Sequence, residues 1–267
     1  MSLGRRKVRI DQPARWVFNR MAESYDARPA YPPPVLDAIQ ALARGIEGRR
    51  PRASRICDVG AGVGHLALPL TERGFDVVAV EPARRMLDKL QASAVARGLT
   101  LRAVHAPAES LPLENASVDT AVVADALHFL DAQLTAEELD RVLRPHAALA
   151  VVTCRFGDTP FMREVQVAVE EAVPRRPRDV ARQLVHLASI TRVHWCPAQE
   201  FHDATPVDHV TLERILRSIS FIGPAMNAER FARFHQRIRG LTEKPVWARS
   251  FVVHTGRRGR THRGAQR

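Results

Sequence analysis

The chain has 267 residues, 45% of them apolar, 26% charged and 6% aromatic, with 14 glycines and 18 prolines; this is globular composition and excludes collagenous and low-complexity chains. Its apolar runs fall short of the roughly 18 residues that a membrane span needs. The net charge of +11 invites a nucleic-acid partner, but residues 1–9 carry four cations and residues 256–267 five, with no acid in either, which leaves only +2 for the body.

In chain order, a basic arm (1–12) is expected to be disordered. Residues 13–28 read as a helix that stops at the rigid Arg28-Pro29-Ala30-Tyr31-Pro32-Pro33-Pro34. A second helix follows over about 35–44, and the polar, Arg-rich stretch 45–55 reads as a surface linker. Strand and helix then alternate: a strand at 55–59, a helix at 63–73, a strand at 77–80 and a helix at 83–97. Strands at 101–105 and 120–124, a helix at 135–143 and a strand at 147–153 continue the pattern. Helices are expected at 161–173, 181–188, 207–218 and 228–241, with two more strands at 200–204 and 246–253. The expectation is an α/β fold around a doubly wound, mostly parallel seven-stranded sheet covered by helices on both faces. A second disordered basic segment (256–267) closes the chain.

Asp58-Val59-Gly60-Ala61-Gly62-Val63-Gly64 lies between the first strand of this alternation and the next helix. Glycines let the chain turn tightly and let a ligand approach the main chain, and the following helix points its first amides at the loop. The strand 77–80 runs into Glu81, 23 positions after Asp58, where an acid accepts hydrogen bonds from both hydroxyls of a ribose. A dinucleotide fingerprint requires glycine where this chain has His65. No Gly-Lys-Ser/Thr follows for a nucleoside triphosphate, and the Asp58 carboxylate would repel a diphosphate. It suits a cationic sulfonium nucleoside that carries an amino group.

These residues, with several flanking segments, resemble class I S-adenosylmethionine-dependent methyltransferases, in the small-molecule branch that includes trans-aconitate and ubiquinone/menaquinone-type enzymes. The matching pieces are the segment 18–32, the glycine loop, Val80-Glu81-Pro82, the segment 108–113, Asp125-Ala126-Leu127-His128-Phe129 and the segment 141–145, in the family's order. The resemblance implies a Rossmann-like methyltransferase fold with an N-terminal helical lid (13–54) and a methyltransferase domain (55–255), in which 156–244 contributes a helical substrate cap. It implies S-adenosyl-L-methionine as cofactor. Asp58 and the loop backbone would hold the methionine end, with Gly60, Gly62 and Gly64 giving room, and Glu81 would take the ribose. Ala108 and Glu109 would line the adenine pocket. Tyr25 and Arg28 would belong to the lid, Arg28 pairing with the cofactor carboxylate, and Asp125 would lie where the reactive methyl faces the acceptor.

Methyl transfer from a sulfonium is an in-line displacement that depends chiefly on alignment. A carboxylate acceptor needs no base, whereas a hydroxyl benefits from one. His128, at the carboxyl edge of the sheet, is the candidate; His65 reads as packing. The expected acceptor is a small molecule methylated on oxygen, as a carboxylate or hydroxyl. The alternatives are C- or N-methylation of a quinone precursor or secondary metabolite, a nicotinamide oxidoreductase, and a non-catalytic RNA-binding protein using the basic ends. Phe161, Met162, Trp195, His202, Ser218, Ser220 and Phe221 are candidates for the acceptor cap, and Arg175, Arg176 and Arg178 form a run able to steer an anion. Cys57, Cys154 and Cys196 form no C-x-x-C pair, so no metal site is expected. With no apolar segment after the N-terminal charges, a cytoplasmic protein without a membrane or nucleic-acid partner is expected.

Overall fold

A computed structural model describes residues 13–47, 54–173 and 179–259. The arm 1–12, the arginine run at 175–178, most of the 45–55 linker and the tail after Gly259 lie outside the described residues. The first part of the chain forms α1 (Pro13–Tyr25), α2 (Pro33–Glu47), β1 (Arg55–Val59), α3 (Ala67–Glu72), β2 (Asp76–Val80) and α4 (Arg84–Ala96). β3 (Arg102–Val104), β4 (Val118–Ala124), a single 3-10 turn (Leu127–Phe129), α5 (Ala132–Val142) and β5 (Leu143–Phe156) follow. The remainder is α6 (Pro160–Ala172), α7 (Val180–Thr191), β6 (Val193–Trp195), β7 (Gln199–Pro206), α8 (His209–Arg217), α9 (Ala228–Arg239) and β8 (Val246–Arg258).

The sheet runs β3-β2-β1-β4-β5-β8-β6, with β7 also paired to β8. β1 to β5 are parallel, whereas β8 is antiparallel to β5, β6 and β7. β1, β2 and β4 are almost wholly buried, as a sheet covered on both faces requires. One face packs on α2 and α3 through Ile39, Leu42, Ile56, Leu70 and Ala150. The other packs on α5 and α7 through Val59, Val123, Leu139 and Leu187. α6, α8 and α9 build a third core around Met162, Leu212, Ile215, Phe231 and Trp247. Helices α5 to α9 each begin behind a side chain (Asp131, Thr159, Asp179, Asp208 and Asn227) that accepts from the third helical amide, a cap that stabilises each start by about 1 kcal/mol. Among the described residues no helix is long and apolar enough to cross a membrane.

Several boundaries differ from those read in the sequence. The helix expected from Val63 starts only at Ala67, because Gly62 and Gly64 take φ of +56° and +91° and keep the loop from winding. The apolar side of α2 is built into the sheet face, whereas α1 packs on α4 through Met21, Ala22 and Met86. Within 156–244, α7 covers the sheet and β7 joins it, while α6, α8 and α9 pack on one another. An eighth strand, β6, gives three residues of pairing too short to show as a pattern. β8 continues through Gly256–Arg258 into the segment read as disordered tail. A Cβ at Gly256 would meet Val193 Cγ1 at 2.5 Å, and the buried Arg258 donates to the Leu143 carbonyl at 2.7 Å and pairs with Asp140. These contacts hold the strand end.

Candidate active site

The carboxyl ends of β1, β4 and β5 open into a cavity of about 800 Å³, where open α/β sheets bind ligands. At the end of β1 the chain turns at Gly60, whose φ is +76° and whose added Cβ would lie 2.7 Å from the Ala126 Cβ. The Gly60 and Ala61 amides both donate to the Val80 carbonyl, at 2.8 and 3.0 Å. Glu81, buried, accepts from Gly62 N at 2.9 Å and from Ala83 N at 2.7 Å. It therefore ties the glycine loop to the start of α4. Glu81→Gln is expected to loosen this loop and raise the dissociation constant of S-adenosylmethionine about tenfold or more; calorimetry showing undiminished affinity would remove Glu81 from the donor site.

Asp58 is 1% exposed, and its Oδ2 has no hydrogen-bond partner among the described residues. Burial, followed by the nearby Glu81 carboxylate, pushes its carboxyl up to about 7. Above it sits Tyr25, whose Cε1 lies 3.6 Å from where a Gly62 Cβ would be. The Tyr25 ring stacks on His65 (centroids 5.9 Å apart, 20° between planes), and the Arg28 guanidinium lies 4.2 Å from its centroid. Arg28 donates to Ser218 Oγ at 2.8 Å, to the Ser218 carbonyl at 2.6 Å and to Tyr25 Oη at 3.1 Å. No described acid lies within ion-pair distance of it. Burial, then the charge of Arg28, lowers His65 to about 4, so this ring is neutral at pH 7.

On the opposite wall, Asp125 adopts φ of +52° at the end of β4, a conformation Asp tolerates better than most residues. Tyr31 Oη donates to its Oδ2 at 3.1 Å and Cys154 N to its Oδ1 at 2.6 Å. Expected beside the reacting methyl, Asp125 does line the cavity, but both of its oxygens hold protein donors. Burial raises the Tyr31 phenol well above its ordinary value. His128, on the 3-10 turn, packs 3.9 Å from the Phe129 ring, which meets Phe18 edge-on at 4.9 Å.

Tyr25, Arg28, Asp58, Gly60, Gly62, Asp125 and His128 thus line the same cavity. The other expected residues stand outside its lining. Gly64 faces Leu68 and Leu90, and Glu81 reaches the site through Gly62. Ala108 is core. Glu109, expected to line the adenine pocket, accepts from Asp131 N at 3.0 Å at the start of α5. Of the cap candidates, Ser220 and Phe221 line the cavity and Ser218 holds Arg28. Met162 is cap core with Phe161 packed against it, Trp195 donates to the Leu184 carbonyl, and His202 is paired in register with Ser250.

Tyr31 and Arg249 were not singled out by sequence reasoning. Arg249 is buried in β8, pairs with Asp203 and donates to the Pro29 and Ala30 carbonyls at 2.7 and 2.8 Å. It fastens the loop that carries Arg28 and Tyr31. Its one visible signal is an arginine inside the otherwise apolar run Val246-Trp247-Ala248-Arg249-Ser250-Phe251, since a buried arginine requires partners.

A family model described as a methyltransferase domain matches residues 57–151. A malonyl-[acyl-carrier protein] O-methyltransferase of Geobacter sulfurreducens is 30% identical over 256 residues, covering 91% of this chain and 88% of the relative. The chain belongs to the S-adenosylmethionine-dependent methyltransferases. An uncharacterized methyltransferase of Mycobacterium tuberculosis is 42% identical over 136 residues, covering 51% of each chain, so the match spans about half the length of that relative. The YcgJ protein of Bacillus subtilis shares the fold, with a TM-score of 0.53 at 19% identity over 82% of this chain and 98% of that one. The site fits the family's cofactor, S-adenosylmethionine. A buried carboxylate oxygen without a partner suits an ammonium, and the Cβ-free Gly60 and Gly62 leave the loop backbone open to close approach.

Proposed function

We propose that the chain is a cytoplasmic methyltransferase that transfers the methyl group of S-adenosylmethionine to an oxygen of a small-molecule acceptor. The observation that carries this reading is the buried Oδ2 of Asp58, without a hydrogen-bond partner among the described residues, beside the glycine loop in the wall of a large cavity. When bound, the cofactor supplies an electrophilic methyl on sulfur; the acceptor oxygen gains a bond to carbon as the sulfur–carbon bond breaks. Asp58 takes the cofactor's ammonium, and Arg28 its carboxylate, exchanging contacts with neutral Ser218 for a charge-assisted pair. Glu81 turns toward the ribose while holding the loop. Gly64 lets α4 pack close to the loop, and Ala108 and Glu109 support the adenine end, Glu109 through the Asp131 amide. Tyr25 closes over the loop and excludes water.

On the acceptor side, Asp125 is a positioning residue that orients Tyr31 and the edge of β5. His128 takes the proton when the acceptor is a hydroxyl, whereas a carboxylate acceptor has none to lose. His128→Ala is therefore expected to lower kcat about 100-fold or more with phenols, to leave carboxylate acceptors unaffected and to leave cofactor binding unchanged. Turnover that stays the same with both classes would return His128 to the cavity wall. Transfer of radiolabelled methyl from the cofactor to a panel of carboxylic acids and phenols tests the function itself; failure of the folded chain to bind S-adenosylhomocysteine would end the reading.

A further inference from the structure

We infer that the end of the cavity under the helical cap takes the apolar body of the acceptor, an alkyl or aromatic group, with the oxygen nucleophile directed toward the glycine loop. This rests on the methyl-transfer reading above. The cavity has two chemically different ends. Asp58, the glycine loop and Tyr25 form one. The other is formed by Phe156 at the end of β5, Ile215 on α8, Ile219 and Phe221 in the turn after it, and Trp247 at the start of β8. All five are apolar. The Phe156 ring lies 5.6 Å from Trp247 at 75° and 6.4 Å from Phe221 at 51°, the tilted and edge-to-face arrangements that aromatic rings prefer. Ile215, Ile219 and Trp247 belong to the cap core, so this wall is rigid rather than a loose surface patch.

Among the described residues, the charges in the cavity are placed elsewhere. Arg249 is engaged by Asp203 and two carbonyls, and Arg28 sits at the boundary of the two ends on Tyr25 and Ser218. Gln166 donates to Glu170 at 2.8 Å, and these side chains are exposed, as is Arg155, so these three polar lining residues form a rim. A polycarboxylate seated against the aromatic wall would bury ionised groups at a cost that no contact among the described residues of that wall offsets. An alkyl or aryl group gains about fourfold in affinity for each methylene removed from water.

The test is calorimetry on the full chain with saturating S-adenosylhomocysteine, titrating straight-chain monocarboxylates from butanoate to octanoate and then citrate. The dissociation constant is expected to fall about fourfold per methylene, with no binding of citrate. Phe221→Ser is expected to flatten the series while leaving S-adenosylhomocysteine affinity intact. A flat series in the unmodified chain, or citrate binding more tightly than octanoate, overturns this inference alone. Absence of S-adenosylhomocysteine binding overturns it together with the methyl-donor reading.

Discussion

Asp58→Asn is expected to make the ligand-free chain more stable at pH 8 and a much poorer binder of S-adenosylmethionine. The folded chain holds the Asp58 carboxyl at about 7 against 3.8 for the exposed group, through burial and the neighbouring Glu81. A proton thus binds the folded state more tightly than the unfolded one. Its contribution to stability is complete below pH 3.8 and is lost as the pH rises through about 7. At pH 8 the ionised group costs on the order of 2–4 kcal/mol, which asparagine removes. At about 2–4 °C per kcal/mol for a chain of this size, the melting temperature should rise by several degrees. Loss of the charge opposite an ammonium should weaken cofactor binding about 10–150-fold. In the unmodified chain, cofactor affinity should fall as the pH drops below about 7, where Asp58 takes up its proton. Melting curves and calorimetry at pH 6 and 8 read both effects. Equal stability and equal affinity in the variant would remove Asp58 from the site.

Arg249→Met is expected to cost about 3–5 kcal/mol of stability and most of the turnover. Methionine keeps much of the volume, but Asp203 loses its cation and the Pro29 and Ala30 carbonyls lose their donors. The loop between α1 and α2 is then no longer held to β8. Tyr31 and Arg28, which that loop carries into the cavity, lose their positions. A large shift of the urea midpoint with unchanged slope is the expected signature. Asp203→Asn in the same chain should recover part of the stability, because it removes the stranded charge, but not the turnover, because the loop stays unhooked. An unchanged midpoint in Arg249→Met would show that the pair contributes little.

The parts of the site legible in the sequence are those whose chemistry is written within a few residues of each other. Asp58 and its glycines occupy one turn, and their spacing announces a main chain made available to a ligand. Glu81 stands at the end of an apolar strand, where a carboxylate has a purpose. Glu109 was legible as an acid but not as to its direction, because its partner is the amide of Asp131, 22 positions later. Arg249 showed only as an arginine in an apolar run, and its role was not legible, since its partners Pro29 and Ala30 lie 220 and 219 positions away. β6 escaped because three residues carry no period. The extension of β8 escaped because its arginines read as solvated charge, whereas two of them reach Leu42 and Asp140.

By itself, the sequence determined the alternation of strands and helices, the parallel sheet that follows from it, and the glycine turn with its two acids. Hydrophobic periodicity and backbone freedom are local properties, and they survive without knowledge of the fold. Only the tertiary structure decided that α1 packs on α4 while α2 is built into the sheet face, that Asp125 is engaged by Tyr31, and that an aromatic wall closes the far end of the cavity. Each of those outcomes joins segments that are far apart in the chain, and which distant groups satisfy a buried charge or fill a void is settled only when the layers pack.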